Sequence, residues 1–331
     1  MYIVSSYSLA VILCFVTMLC WGSWANTQKL AQKSWRFELF YWDYVIGILL
    51  MSLIFSFTLG SSGELGRSFL TDLRQAEMSN IGNALLGGII FNAANILVAA
   101  AISIAGMSVA FPVGIGIALV LGVLVNYMAK PQGNAFWLFL GVALVTVAII
   151  FDAIAYKKKA SQSQKVPAKG IVLSVVGGVL MALFYRFVAS SMASSFEQPE
   201  AGRLTPYTAV FIFSVGVLLS NFLFNTLLMR KPFEGAPVAY SDYFKGSLKE
   251  HFTGILGGLI WCVGMMFSII AAGKAGYAIS YGLGQGATLV AALWGVFIWK
   301  EFSGAKGTTG LLTTMFLLFL TGLGMIIYAG I

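Results

Sequence analysis

The chain has 331 residues, 59% hydrophobic and only 10% charged, with a formal net charge of +8. A soluble domain is closer to half apolar and a quarter charged, so this composition excludes one. The positive balance is not a nucleic-acid signature, because the basic residues sort by loop.

Ten apolar stretches each approach the ~20 residues that a bilayer crossing requires: 7–27, 39–59, 81–103, 106–128, 135–156, 170–192, 206–229, 252–273, 276–299 and 308–330. They are apolar on most faces, unlike surface helices of a soluble protein. The short alternating strands of a membrane β-barrel are missing. The expected fold class is an all-α integral membrane protein of ten transmembrane helices, here segments 1 to 10.

Segment 1 follows six uncharged residues that lack the basic region of a cleavable signal peptide. It carries Trp21, Trp24 and Asn26 near its end, as suits a retained helix. Segment 2 holds Asp43 within YWDYVIG. Two readings stand: a buried carboxylate that carries a proton, or an acid favoured by the dipole of a helix's first turn. Segment 3 holds Asn92 and Asn95, three apart and so on one face, near mid-membrane. Segment 4 holds Pro112, which removes one helical hydrogen bond and frees a carbonyl, followed by Gly114 and Gly116. In segment 5, Trp137 reads as an interfacial anchor and Asp152 as a carboxylate pairing with Lys157 to Lys159.

Segment 6 places Tyr185 beside Arg186, an arginine that either snorkels outward or faces a central cavity. Asn221 and Asn225 share a face of segment 7, and segment 8 carries Trp261. Segment 9 contains Tyr281, Gly282, Gly284, Gln285 and Gly286, and Trp299 and Tyr328 fall at segment ends as anchors. Amides offer both donors and acceptors, and flat rings beside them suit a sugar or a heterocycle; the competing role for each amide is interhelical bonding. Cys14, Cys20 and Cys262 all lie in apolar segments and read as small buried hydrophobes. His251, the single histidine, is expected in a loop, so zinc chemistry and a Ser/His/Asp triad have almost nothing to work with. No metal or cofactor is expected.

With the N-terminus outside, the cytoplasmic loops carry fourteen basic residues: Lys29, Lys33, Arg36, Lys157, Lys158, Lys159, Lys165, Lys169, Arg230, Lys231, Lys245, Lys249, Lys300 and Lys306. The opposite loops carry five: Arg67, Arg74, Lys130, Arg203 and Lys274. The positive-inside rule therefore puts both termini outside the cytoplasm, in a plasma (inner) membrane.

The stretch YKKKASQSQKVPAKG, from Tyr156 to Gly170, reads as a solvated linker between residues 1–156 and 170–331, five segments each. An offset of 170 residues aligns Gly87-Gly88 with Gly257-Gly258, Ala105 with Ala275, Gly106 with Gly276, Val109 with Ile279, Gly114 with Gly284 and Gly116 with Gly286. Segments 3–4 thus match 8–9. Five is an odd number of crossings, so matched copies run oppositely: two inverted five-helix repeats, an architecture of secondary transporters with the site near the midplane. No nucleotide fingerprint accompanies the glycines, which lack the required spacing and a preceding strand.

Several stretches carry a family likeness: WGSWANTQKL (Trp21–Leu30), YWDY (Tyr41–Tyr44), GGIIFNAANIL (Gly87–Leu97), AGMSVAFPV (Ala105–Val113), VNY (Val125–Tyr127), AGYAISYGLGQ (Ala275–Gln285) and WGVFIWKEF (Trp294–Phe302). In order and spacing they resemble the drug/metabolite transporter superfamily, and within it the ureide permeases and the glucose/ribose and rhamnose uptake permeases. The resemblance covers nearly the whole chain. It implies import of a small polar solute, a ureide or nucleobase or else a sugar, coupled to protons. The long central loop with a phosphate-loop-like motif found in plant ureide permeases is replaced here by Tyr156–Gly170, so nucleotide regulation does not carry over. The expected site is a cavity among segments 1, 3, 4, 6, 8 and 9. Trp21, Trp24, Asn92, Asn95, Tyr185, Arg186, Trp261, Tyr281 and Gln285 are the substrate candidates, and Asp43 the proton carrier. The alternative is an exporter of amphipathic compounds. Monomer and homodimer both remain open.

Overall fold

A computed structural model describes residues 1–31, 35–105, 107–160 and 167–331. Lys33 and Lys165 of the charge count, Gly106 of the repeat and the side chain of Val109 lie outside the described residues. Among the described residues the chain is all helix and loop, with a single isolated bridge between Met192 and Leu204. Among the described residues, ten helices or helix pairs are long and apolar enough to cross a bilayer. The protein is an all-α integral membrane protein.

Segment 1 is two helices, α1 (Tyr7–Ser23) and α2 (Ala25–Ala31), that meet at Trp24. The Ser6 hydroxyl accepts the Leu9 N–H at 3.2 Å and caps α1. Then follow α3 (Phe37–Phe57), the short α4 (Phe69–Gln75), α5 (Met78–Ala105), α6 (Met107–Ala129), α7 (Ala135–Ala160) and α8 (Ala168–Ser191). The second half continues with α9 (Pro206–Arg230), the single-turn α10 (Tyr240–Tyr243), α11 (Leu248–Ala275), α12 (Tyr277–Gly284), α13 (Ala287–Leu293), a π-turn at Trp294–Ile298, and α14 (Thr309–Tyr328). Pro206 opens α9, where a missing N–H costs nothing.

Three differences from the sequence reading have physical causes. Lys157 to Lys159 are helical, in the last turn of α7, because backbone hydrogen bonding outlasts the apolar run. Likewise α5 and α11 each span 28 residues. At 1.5 Å per residue that is about 42 Å, longer than the ~30 Å hydrocarbon layer. His251 therefore sits in the first turn of α11 and not in a loop. Finally, α6 runs unbroken through Pro112, and the interruption falls in segment 9 at Gln285-Gly286. Three glycines in five residues each cost a helix about 1 kcal/mol relative to alanine. The Gly286 N–H accordingly turns to the Leu283 carbonyl, 3.0 Å away and only three residues back.

The helix limits respect the 170-residue offset. Met78–Ala105 maps onto Leu248–Ala275, and the start of α6 at Met107 onto that of α12 at Tyr277. Gly276, at φ +84°, is the one residue between α11 and α12, a backbone region that favours glycine. Packing also comes in matched pairs. Helix α5 lies along α8 and α9, and α11 along α1 and α3. A Cβ on Gly88 would strike the Phe213 carbonyl, and one on Gly216 the Leu85 carbonyl. Between α11 and α3, a Cβ on Gly258 would strike the Tyr44 carbonyl, and one on Gly47 the Ile255 carbonyl. Bare backbone approaches bare backbone in both places, the contact that lipid-embedded helices favour.

Candidate substrate-binding site

Near the middle of the bundle, segments 1, 3, 4, 6, 8 and 9 enclose a small cavity. Its walls are Trp21, Trp24, Asn95, Val98, Ile115, Met181, Phe184, Trp261, Gln285 and Ala287. The junction of α1 and α2 at Trp24, which keeps helical geometry, and the interruption at Gln285-Gly286 both border it. Glycine makes room for the indoles: a Cβ on Gly284 would meet the Trp21 ring at 2.9 Å, and one on Gly264 would meet it at 2.7 Å.

Trp21 and Trp261 stack with centroids 5.8 Å apart and planes 14° from parallel. Trp21 Nε1 donates to the Trp261 carbonyl at 3.2 Å, which uses the indole's only donor. Behind Trp261, Phe91 lies at 4.2 Å and Phe213 at 5.9 Å, so the platform is braced from the back. Asn95 Nδ2 donates to the Tyr41 hydroxyl at 3.2 Å, which fixes the orientation of the amide. Gln285 is buried, yet among the described residues its side-chain amide has no hydrogen-bond partner. An amide with a free donor and acceptor in a cavity walled by indoles is equipped for a small polar molecule. Its volume, about 30 Å³, has room for water but not for a solute.

Of the nine substrate candidates, the structure brings together Trp21, Trp24, Asn95, Trp261 and Gln285. The other four lie elsewhere. Asn92 turns toward α9 and donates to Ser220 Oγ at 3.0 Å. Tyr185 bonds Ser268 Oγ at 2.9 Å, and Tyr281 donates to the Met181 carbonyl at 3.1 Å. Both tyrosines are fully buried, next to each other with centroids 5.1 Å apart. Arg186 lines a separate opening at the end of the bundle.

Asp43, from α3, is fully buried. Its Oδ1 accepts the Tyr243 hydroxyl at 2.6 Å, and His251 Nδ1 lies 2.9 Å from Oδ1 and 3.1 Å from Oδ2. Burial, and then the bond to Asp43, hold the Tyr243 hydroxyl above its usual range, so it remains the donor. Trp35 closes the cluster with its ring 5.3 Å from His251. A Cβ on Gly254 would collide with Cβ of Asp43, so glycine admits the acid to the surface of α11. The pair thus joins the first half of the chain to the second.

Sequence reading missed His251 and Tyr243 as partners of Asp43. One signal could have found the histidine. Ser247-Leu248-Lys249-Glu250 is a capping box, with Ser247 N donating to Glu250 Oε2 at 2.8 Å, and it starts α11 before the apolar run. Asp152 is also corrected. It is buried, its Oδ1 has no partner among the described residues, and Lys158 reaches the Gly307 carbonyl at 3.1 Å. Trp299 does more than anchor: its Nε1 donates to Asn26 Oδ1 at 2.7 Å and ties segment 9 to segment 1.

Comparisons with known proteins agree with this architecture. Ureide permease 1 of Arabidopsis thaliana is 23% identical over 98% of both chains, and Ureide permease 2 of the same plant is 23% identical over 94% of both. Transmembrane protein 144 homolog B of Dictyostelium discoideum is 25% identical over 48% of this chain and 40% of its own. A protein of known crystal structure shares the fold with a TM-score of 0.60 and 16% identity, over 97% of this chain and 96% of that one. The ureide permease family model matches residues 40–169 and 162–329, and this multi-pass membrane protein belongs to that family.

Proposed function

We propose that the protein is a secondary permease, not an enzyme, that imports a small polar solute of the ureide or nucleobase-like class in symport with protons. The observation that carries this reading is the small central cavity beside the interruption of segment 9, which the stacked Trp21 and Trp261 line together with the unpartnered amide of Gln285. Interrupted helices at the midplane are where transporters of inverted-repeat design hold their solutes. The matched helix limits and the paired Gly88/Gly216 and Gly258/Gly47 contacts support such a repeat, its halves being 1–156 and 170–331 about the linker 157–169. Rocking of one half on the other would enlarge the cavity from the side that opens.

The test is uptake into vesicles of labelled allantoin, uracil, nucleosides and sugars, with and without an imposed pH gradient. Stimulated uptake of a ureide or nucleobase is the expected result; uptake of sugars alone would move the reading to that class. Asn95→Ala is expected to raise the apparent KM about two- to tenfold at unchanged membrane expression, because a hydrogen bond to a polar ligand contributes about 0.5–1.5 kcal/mol. Unchanged uptake kinetics would assign Asn95 to packing against Tyr41.

We further propose that both termini face outward, on the strength of the loop charges. A C-terminal alkaline phosphatase fusion is expected to be active, and an inactive, stably expressed fusion would reverse the orientation.

A further inference from the structure

A groove of about 710 Å³ opens where the π-turn of segment 9, the loop after it and the start of α14 meet. Its two ends differ in chemistry. Lys300 and Lys306 stand at the loop end, and Phe297 and Phe316 form the other, their rings 6.2 Å apart. Phe316 lies two turns into α14, so the groove follows that helix for about 10 Å. Phe297 is 60% exposed, and Leu317 and Leu320 beyond Phe316 are exposed as well. The apolar end therefore opens on the face that α14 turns to hydrocarbon, and the lysines stand where that face meets water.

No carboxylate lines the groove. Among the described residues, Lys300 and Lys306 have no acidic partner. The acids at this end are engaged or turned away. Glu301 takes Lys29 Nζ at 2.6 Å and the Tyr156 hydroxyl at 3.0 Å. Asp152, one turn before Tyr156 on α7, is buried and does not line the groove. Two more lysines brace the loop from α7: Lys158 Nζ donates to the Gly307 carbonyl at 3.1 Å, and Lys159 lies 5.4 Å over the Phe302 ring. Lys300 itself is held in place. Its φ of +48° makes it the one non-glycine with positive φ among the described residues. The Trp299 N–H bonds the Trp294 carbonyl and the Glu301 N–H the Gly295 carbonyl, both at 2.9 Å, which fixes the backbone on either side of it.

Between the two ends, Thr309 and Thr313 line the groove one turn apart on α14. Cation, hydroxyl and aromatic ring thus follow one another from the water border inward. A phospholipid has the matching order of phosphate, glycerol ester and acyl chain. A soluble anion would leave the rings uncovered, and a zwitterionic lipid would bring its own cation to the lysines. Basic residues at the membrane border attract anionic lipids.

We propose that this groove binds one anionic phospholipid, its phosphate held by Lys300 and Lys306 and an acyl chain laid against Phe297 and Phe316. The binding is independent of which solute the protein carries. The test is native mass spectrometry of the full chain in neutral detergent, titrated with phosphatidylglycerol or with phosphatidylcholine of the same acyl chains. The first phosphatidylglycerol is expected to bind about tenfold more tightly than the first phosphatidylcholine. Equal affinities for the wild-type protein, a result that depends on no variant, overturn the proposal. Lys300→Gln and Lys306→Gln should each weaken the first phosphatidylglycerol about fivefold. Lys249→Gln, which removes an exposed lysine of α11 outside the groove, should leave it unchanged. Equal losses in all three variants would mean that overall charge attracts the lipid, and they overturn the site. Glycerol 3-phosphate, a headgroup without chains, should not displace the lipid. Displacement would assign the lysines to a soluble phosphate and overturn the proposal as well.

Discussion

Asp43→Asn is expected to lower pH-gradient-driven accumulation of solute at least tenfold while solute exchange across the membrane continues. The carboxylate lies between the halves, held by Tyr243 at 2.6 Å and His251 at 2.9 Å. Hydrogen bonds to a charged group contribute about 1.5–3 kcal/mol each, so the deprotonated acid clamps α3 to α10 and α11. On the proposed reading, a proton on Asp43 would remove the charge that attracts both partners, loosen the clamp and so couple proton binding to movement between halves. Asparagine keeps the shape and one acceptor but cannot take up the proton. Alanine is the poorer test, because it leaves the Tyr243 and His251 donors without an acceptor, which costs about 1–3 kcal/mol each and confuses folding with coupling. His251→Gln is expected to reduce accumulation in the same direction with exchange preserved. Full gradient-driven accumulation by Asp43→Asn would remove this acid from the mechanism.

Gly258→Val is expected to abolish recovery of folded protein, read as loss of a monodisperse peak on size-exclusion chromatography. Any Cβ at Gly258 runs into the Tyr44 carbonyl and lies 2.8 Å from the Ile48 N, backbone atoms that no rotamer change can move. Overpacking that side chains can absorb costs about 1–3 kcal/mol, and this site should exceed that range. Gly324→Ala on α14 is the control, since its Cβ would meet nothing within 4 Å. A monodisperse Gly258→Val protein with normal uptake would mean that α3 and α11 can separate without penalty.

The class of molecule was legible in composition alone, since ten continuous apolar runs of bilayer length suit spanning helices, whose backbone bonds are all internal. The offset of 170 residues was legible too; at its Gly88/Gly258 pair, backbone packs against backbone so closely that a Cβ would collide. Asn95, Gln285 and the tryptophans of the central cavity were legible as polar or flat groups at mid-membrane depth. Their neighbours Asn92, Tyr185 and Tyr281 carry the same chemistry at nearly the same depth. Only tertiary structure separates them, because a helix a few residues around from the cavity faces Ser220, Ser268 or a main-chain carbonyl instead. The partnership of Asp43 and His251 was likewise invisible, being a contact across 208 residues of chain. Helical hydrogen bonding carries α11 past the end of its apolar run, and the glycine contacts press it against α3. Together they bring a residue that hydropathy assigns to a loop against a buried acid.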